Sequence, residues 1–221
     1  GDLLNQCMGS AFALKDLEIP SIGLFGACST MALSLSAGAM LVDGGINCVV
    51  CATSSHFCSS ERQFRFPLEY GGQRPPTAQW TVTGAGSSVV SNSGKGIKIK
   101  AVQIGTITDL GITDANNMGA AMAPAAASLM LSYFKETGRD QDYFDIIATG
   151  DLGYVGRTLT MELLAAEGYA LDSRYTDCGI EIYDKQDQDT HSGGSGCACS
   201  ALVFTSKFYK NLTDGRTKRM L

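Results

Sequence analysis

The chain has 221 residues, enough for one large domain or two small ones, and 44% of them are hydrophobic, which suffices for a packed core. Charged residues make up only 18% and the net charge is −5, which argues against a general binder of nucleic acids or anionic membranes. An anionic ligand must therefore be held by a local site. The only membrane candidate, residues 20–42, contains Pro20, glycines and hydroxyl residues, and we interpret it as core.

The residues around Cys28 form the most informative local pattern. Residues 22–25 predict a short buried strand, and the charge-free run that follows predicts a helix over 29–43 that is buried on every side. A tight turn between them puts Cys28 at the helix N-terminus, where unpaired N–H groups and the helix dipole favour a thiolate. The alternative is a small core cysteine that falls at a turn, and the pattern leaves both open.

Two segments repeat one order of elements: a helix of small residues, a turn, an apolar strand and a polar loop at the carboxyl end of that strand. In the first segment the helix at 29–43 leads to a strand at 47–53. In the second, a helix from Met122 to about Phe134 leads to a strand at 143–149. The repeat predicts an α/β protein of two similar halves.

The halves are expected at residues 1–92 and 93–221, with a polar joint at 91–98. We interpret the chain as part of a longer protein, with the opening elements of the first half and the closing elements of the second half missing. The remaining predicted elements are strands at 83–90 and 98–105, a helix at 158–167, a turn at 193–196, and a segment at 201–204 that is either strand or helix.

The eight cysteines lie in apolar or small-residue surroundings, which favours a reducing compartment over a disulfide framework. Cys48 and Cys51 have the C-x-x-C spacing, but on a predicted strand they point to opposite faces, so they are not expected to clamp a metal. Cys197 and Cys199 supply only half of a zinc site. We therefore expect neither a metal nor a cofactor.

Several strings in one order resemble the stage V sporulation protein AD family, within the thiolase/ketoacyl-synthase superfamily. They are LFGACSTMA at 24–32, ERQFR at 61–65, EYGGQ at 69–73, PPTAQWTVTGAG at 75–86, MAPAA at 122–126, TGDLG at 149–153 and HSGGSGC at 191–197. The resemblance implies a thiolase-like fold of two similar βαβ halves packed back to back. It also implies that Cys28 occupies the nucleophile position of the first half.

The resemblance further implies a spore-forming bacterium and a role in moving dipicolinic acid (pyridine-2,6-dicarboxylate), usually with calcium, into the developing spore. The partners that it implies are dipicolinic acid and other uptake proteins of the spore inner membrane. On the cytoplasmic face of that membrane the protein would act as a peripheral component, and it would form a homodimer.

The chemistry of a condensing enzyme looks incomplete in this sequence. Such an enzyme needs a cysteine with two histidines, or a His/Asn pair, to stabilise the enolate and the oxyanion, whereas a thiolase uses one histidine and a second cysteine. The chain has only His56 and His191. The resemblance implies His191 at the histidine position of the second half and Asp151 at the other expected position, where a carboxylate repels developing negative charge.

We therefore predict a ligand-binding site with little or no catalysis. The alternative is an acyltransferase or ketoacyl-synthase-like enzyme that uses Cys28 with His191. Two structural interpretations compete with the site assignments: Asp151 as a helix N-cap or turn residue, and His191 as a solvated loop residue. His56 could face either the pocket or a dimer interface.

Three arginines are candidates for holding a dicarboxylate. Arg62, Arg65 and Arg74 fall in one loop region, and arginine forks match carboxylates geometrically; the alternative is a solvated, salt-bridged loop. Trp80 could stack on a pyridine ring or belong to the core. The predicted ligand-binding residues are Cys28, Asp151, His191, Arg62 and Arg65, with Cys28 and His191 as the catalytic pair of the alternative.

Overall fold

The computed structural model describes residues 4–57 and 72–221, which form a mixed α/β fold. The α-helices of these residues are α1 (Leu4–Leu14), α2 (Thr30–Asp43), α3 (Met118–Thr137), α4 (Gly153–Ala166), α5 (Cys178–Glu181), α6 (Cys197–Val203) and α7 (Tyr209–Thr213). The strands are β1 (Cys48–Ser55), β2 (Trp80–Thr81), β3 (Gly84–Ser91), β4 (Ile147–Thr149), β5 (Tyr175–Asp177) and β6 (Gly194–Ser195). Short 3-10 turns lie at Lys15–Leu17, Ala27–Ser29 and Gln141–Tyr143, and a π-helical turn at Phe204–Phe208 joins α6 to α7.

The first half is built on the antiparallel pair β1–β3, whose register runs from Cys48↔Ser91 to Ser55↔Gly84. Helix α2 packs closely on this pair because it presents small residues. A Cβ on Gly38 would lie 2.5 Å from Cys51 Sγ, and that thiol donates to the Ser34 carbonyl at 3.1 Å. Cys48 is exposed and Cys51 is buried, which confirms that the two cysteines point to opposite faces of the strand.

The second half is built on the parallel pair β4–β5. On its other side β4 is joined by the end of the chain, through a parallel bridge between Ile146 and Met220. Helices α3 and α4 pack together, and one core cluster gathers aromatic and aliphatic residues from these helices and strands. The most buried of its side chains are Phe134, Ile147, Leu164 and Tyr175.

Helix α6 joins the halves, since it belongs to the second half but packs on β1, β3 and α2 of the first. Its residues Cys197, Ala198, Cys199 and Ala201 are fully buried. A Cβ on Gly86 of β3 would lie 2.7 Å from the Ala201 carbonyl oxygen, so the absence of a side chain there sets how closely strand and helix approach. The segment at 201–204, which the sequence left open, is therefore helical.

Some predicted elements are absent from the described residues. Neither 22–25 nor 98–105 forms a strand, because neither segment has a hydrogen-bonded neighbour in a sheet. Apolar side chains that follow 98–105 are exposed, including Ile107 at 102%. Helix α2 is not buried on every side either: Met40 is 51% exposed, because the sheet and α6 cover only one face.

No helix among residues 4–57 and 72–221 combines the length and the apolar character needed to cross a membrane. Residues 20–42, interpreted from the sequence as core, include all but the last residue of α2, which has 14 residues.

The contact between α3 and α4 generates a test of the fold. A Cβ on Gly156 would lie 2.8 Å from the Gly119 carbonyl oxygen and 2.8 Å from the Leu152 Cβ. We expect Gly156→Ala to lower the free energy of unfolding by about 1–3 kcal/mol, because the helices must move apart. Denaturant unfolding measures it.

The matched control is Gly9→Ala, in the exposed helix α1, where a Cβ would meet no atom within 4 Å. Alanine is the better helix former by roughly 1 kcal/mol, so this variant is expected to be as stable as the wild type or more stable. Equal stability of both variants would contradict the close contact between α3 and α4.

Candidate functional site

Cys28 lies in a tightly held turn directly before α2. The turn is closed by hydrogen bonds to the Gly26 carbonyl oxygen, from the Ser29 N–H at 3.0 Å and from the Ser29 hydroxyl at 2.6 Å. The Thr30 hydroxyl donates to the Ala27 carbonyl at 2.6 Å. These bonds hold Ala27 at a φ of 45°, a left-handed conformation that costs a non-glycine residue about 1–2 kcal/mol. The half-buried Cys28 therefore has a fixed position at the N-terminus of a long helix.

The loop after β4 runs beside this turn. A Cβ on Gly150 would lie 4.0 Å from the Cys28 carbonyl oxygen and 3.7 Å from the Ser200 Cβ. Residue 150 therefore lies in packing distance of both the cysteine turn and helix α6, with room for no more than a methyl group between them. Three elements from both halves meet here: the start of α2, the loop 150–153 and the middle of α6.

Asp151 is buried, and its carboxylate accepts hydrogen bonds from the two residues that precede α6. One carboxylate oxygen accepts the Gly196 N–H at 2.8 Å and the Ser195 hydroxyl at 3.4 Å. Because Gly196 directly precedes α6, the carboxylate stabilises the positive end of that helix. Asp151 thus lies in the loop that the sequence indicated, and its side chain points towards the second-half loop at 191–196.

Asp177 holds the same loop from the other side, although the sequence analysis did not select it. Its fully buried carboxylate accepts hydrogen bonds from four donors, which are the Thr149 hydroxyl and the N–H groups of Leu152, Gly153 and Gly179. Burial raises the pKa of the Asp177 carboxyl, and the donated hydrogen bonds oppose that rise. An aspartate directly before a helix start, here α5, is the sequence signal that could have indicated this residue.

Gln79 links the loop of Asp151 to the loop of His191. Its buried amide nitrogen donates to the Asp151 carbonyl at 2.7 Å and to the Gly194 carbonyl at 2.8 Å. The neighbouring backbone reinforces the link, since Ser192 N–H donates to the Ala78 carbonyl at 2.9 Å. Nothing in the local sequence distinguishes this glutamine from a surface residue.

His191 is held with a φ of 49°, a left-handed conformation like that of Ala27 in the Cys28 turn. Its Nδ1 lies 2.8 Å from the Pro75 carbonyl oxygen. Its Nε2 lies 3.0 Å from an Asp189 carboxylate oxygen, with the imidazole only 20% exposed. The ring is therefore positioned by its own loop and by residue 75, and is not a freely solvated histidine.

Arg74 and Trp80 support the loop of His191. The Arg74 guanidinium lies 4.0 Å from the centroid of the Trp80 ring and donates to the Asp189 carbonyl at 2.8 Å. Phe57, at the end of β1, stacks on the same tryptophan with ring centroids 5.1 Å apart. These contacts account for Trp80 as a packed side chain.

The remaining candidate residues from the sequence are either exposed or outside the described part of the chain. Arg62 and Arg65 lie outside the described residues, as does Cys58. His56 is exposed at the end of β1. Within 4–57 and 72–221 no group of three or more histidine, cysteine, aspartate or glutamate side chains is arranged to hold a metal ion.

Cys28 is only half-buried, whereas most of the other described cysteines are buried. Burial raises the pKa of Cys51 and raises the pKa of Cys178 and Cys199 well above the ordinary value. The negative charges of Asp151 and Asp177 raise these last two further. These thiols stay protonated and are poor nucleophiles.

Comparisons with known proteins agree on one family and one fold. The family model for stage V sporulation protein AD matches residues 1–221. The chain is 46% identical over 221 residues to "Stage V sporulation protein AD" of Bacillus subtilis (strain 168), covering 100% of this chain and 65% of that relative. It thus spans about two thirds of the length of the curated relative that it matches.

A solved structure, that of the tetronic acid condensing enzyme AbyA1, is similar with a TM-score of 0.52 at 13% identity. The similarity covers 92% of this chain and 64% of that enzyme. At this level of identity the likeness concerns the fold alone, and it confirms the predicted thiolase-like α/β architecture.

The site geometry predicts that Cys28 is the most reactive thiol. We expect timed alkylation with iodoacetamide and mass mapping to label Cys28 before Cys48, which is exposed but lies on a strand. Cys28 is half-buried at the N-terminus of a long helix, whereas Cys178 and Cys197, which begin short helices, are buried. In the control variant Cys28→Ser, Cys48 should become the first site labelled. Faster labelling of Cys48, Cys58 or Cys178 in the wild type would contradict the placement.

Proposed function

The chain belongs to the stage V sporulation protein AD family, and we propose that it binds dipicolinic acid and supports the uptake of this ligand into the developing spore. The observation that carries the proposal is the close approach of the loop at Gly150 to both the Cys28 turn and Ser200. Helix α2 begins at Thr30, two residues after Cys28, and a helix N-terminus favours carboxylate groups. Arg62 and Arg65 remain proposed ligand contacts.

Two contacts support binding without catalysis. A condensing enzyme aims hydrogen-bond donors at the oxygen that becomes negative in the transition state. Here Asp151 is an acceptor, and its carboxylate is held by the Gly196 N–H. The His191 ring nitrogens lie against Pro75 and Asp189, so an acyl group on Cys28 would lack the two donors that condensation requires.

Within the spore, we propose a peripheral position at the cytoplasmic face of the inner membrane, together with other uptake proteins of that membrane. The fold supports this arrangement only in that none of its described helices could span a bilayer. The assignment rests on the family resemblance.

Isothermal calorimetry with dipicolinate tests the binding proposal. We expect heat of binding in the wild type and a loss of affinity of at least about tenfold in Gly150→Ala, since a methyl group would stand between the Cys28 turn and Ser200. The variant should fold, because its new contacts, at 3.7 Å and 4.0 Å, are ordinary van der Waals distances. Cys28→Ala and His191→Ala should also weaken binding.

The matched control is Gly96→Ala, where a Cβ would meet no atom within 4 Å, and it should bind like the wild type. We expect calcium to strengthen binding if Asp151 lines the site, because a shared calcium ion would offset the repulsion between its carboxylate and the ligand. Absence of heat in both conditions would refute the proposal. Unchanged affinity in Gly150→Ala, Cys28→Ala and His191→Ala would place the ligand elsewhere.

The alternative function, acyl transfer by Cys28 with His191, has its own test. When acyl-CoA is offered, we expect no accumulation of acyl-thioester on Cys28 and little or no ketoacyl product by mass spectrometry. The physical reason is the missing donor at Asp151. Robust turnover that Cys28→Ala abolishes would establish the enzyme instead.

We also propose a homodimer formed through the β1–β3 pair. The cross-strand partners Val50 and Val89 are 63% and 68% exposed, and an apolar strand left open is a liability that a second copy removes. Light scattering should give twice the monomer mass for the wild type and the monomer mass for Val50→Glu. Ile107→Glu, at a fully exposed isoleucine away from this sheet, should remain dimeric. A monomeric wild type at micromolar concentration would contradict the proposal.

A further inference from the structure

Gln79 is a buried amide that joins two loops of the other half of the protein. Both hydrogen-bond partners of its Nε2 are carbonyl oxygens, those of Asp151 and Gly194. A carbonyl oxygen only accepts, so both N–H groups of the amide are used, and the orientation of the side chain is fixed. Each carbonyl would be left buried without this donor.

The two loops that Gln79 joins are already in contact. A Cβ on Gly153 would collide with the Ser192 carbonyl oxygen and would lie 2.9 Å from Gln79 Nε2. The Tyr154 N–H donates to the same Ser192 carbonyl at 2.9 Å. The loop at 150–153 and the loop at 191–196 therefore form one packed unit, with the Gln79 amide inserted between them.

This unit reaches Cys28 through Gly150, the residue before Asp151. We infer that Gln79 is a positioning residue: its amide holds the loops of Asp151 and His191 at a fixed separation and so fixes the position of Gly150 beside the Cys28 turn. The inference rests on the proposed dipicolinate site, for which it names a residue that determines the geometry without touching the ligand.

The test compares Gln79→Met, which keeps the length of the side chain and removes both donors, with Thr160→Val. Thr160 is a buried hydroxyl in α4 that donates to the Gly156 carbonyl at 2.8 Å, so its removal costs stability without touching either loop. We expect Gln79→Met to bind dipicolinate about tenfold more weakly than the wild type, as loss of an ordinary buried hydrogen bond predicts. Thr160→Val should bind within about twofold of the wild type.

A second readout needs no ligand. Because release of the loop uncovers the cysteine turn, iodoacetamide should alkylate Cys28 about threefold faster or more in Gln79→Met, and at the wild-type rate in Thr160→Val. A wild type that gives no heat with dipicolinate would refute the proposed function, while these alkylation rates would still decide the role of Gln79.

Gln79→Glu tests the donor role directly and carries the test if Gln79→Met does not fold. A carboxyl facing two carbonyl oxygens is protonated more readily than usual, and only its protonated form donates. The readout is the ratio of the Cys28 alkylation rate in Gln79→Glu to the rate in the wild type at the same pH. This ratio should be closer to one at pH 5.5, where the carboxyl is protonated and donates, than at pH 8. A ratio that is equal at both pH values, or wild-type affinity and alkylation in Gln79→Met, would overturn the inference.

Discussion

The buried start of helix α6 is the constraint on which the rest of the structure depends. Its N–H groups have no partners within the helix, and an unsatisfied buried donor costs about 1–3 kcal/mol. Two distant residues accept from them: the Ser55 hydroxyl from Ala198 at 3.0 Å and the Asp151 carboxylate from Gly196 at 2.8 Å. One acceptor comes from each half, so the helix cannot be buried unless the halves are packed together.

This requirement also shapes the chemistry of the site. A carboxylate that accepts the Gly196 N–H cannot donate to an oxyanion. The tight turn at Ala27 and the strained His191 show that the surrounding backbone is still held in costly conformations. Such strain indicates that the geometry at these two positions matters for more than stability.

The sequence predicted the elements whose formation depends mainly on residues close together in the chain. The cysteine turn before α2, the strands β1 and β3, and the helix α3 follow from periodicity and turn residues. The strand expected at 98–105 fails because alternation shows which side chains could face a core, but not whether a neighbouring strand is present. The direction of the Asp151 carboxylate and the bridging amide of Gln79 depend on partners distant in sequence, and no local pattern encodes them.

The pairing of β4 with the last residues of the chain affects the order in which the second half can fold. The Leu221 N–H donates to the Ile146 carbonyl at 3.0 Å, and the Ala148 N–H donates to the Leu221 carbonyl at 2.9 Å. During synthesis β4 emerges before α4, β5, α5, β6, α6 and α7, and all of them are made before this edge is covered. A nascent chain thus carries an open strand edge from the synthesis of β4 until residues 219–221 have been made, which makes it dependent on protection from aggregation over that interval.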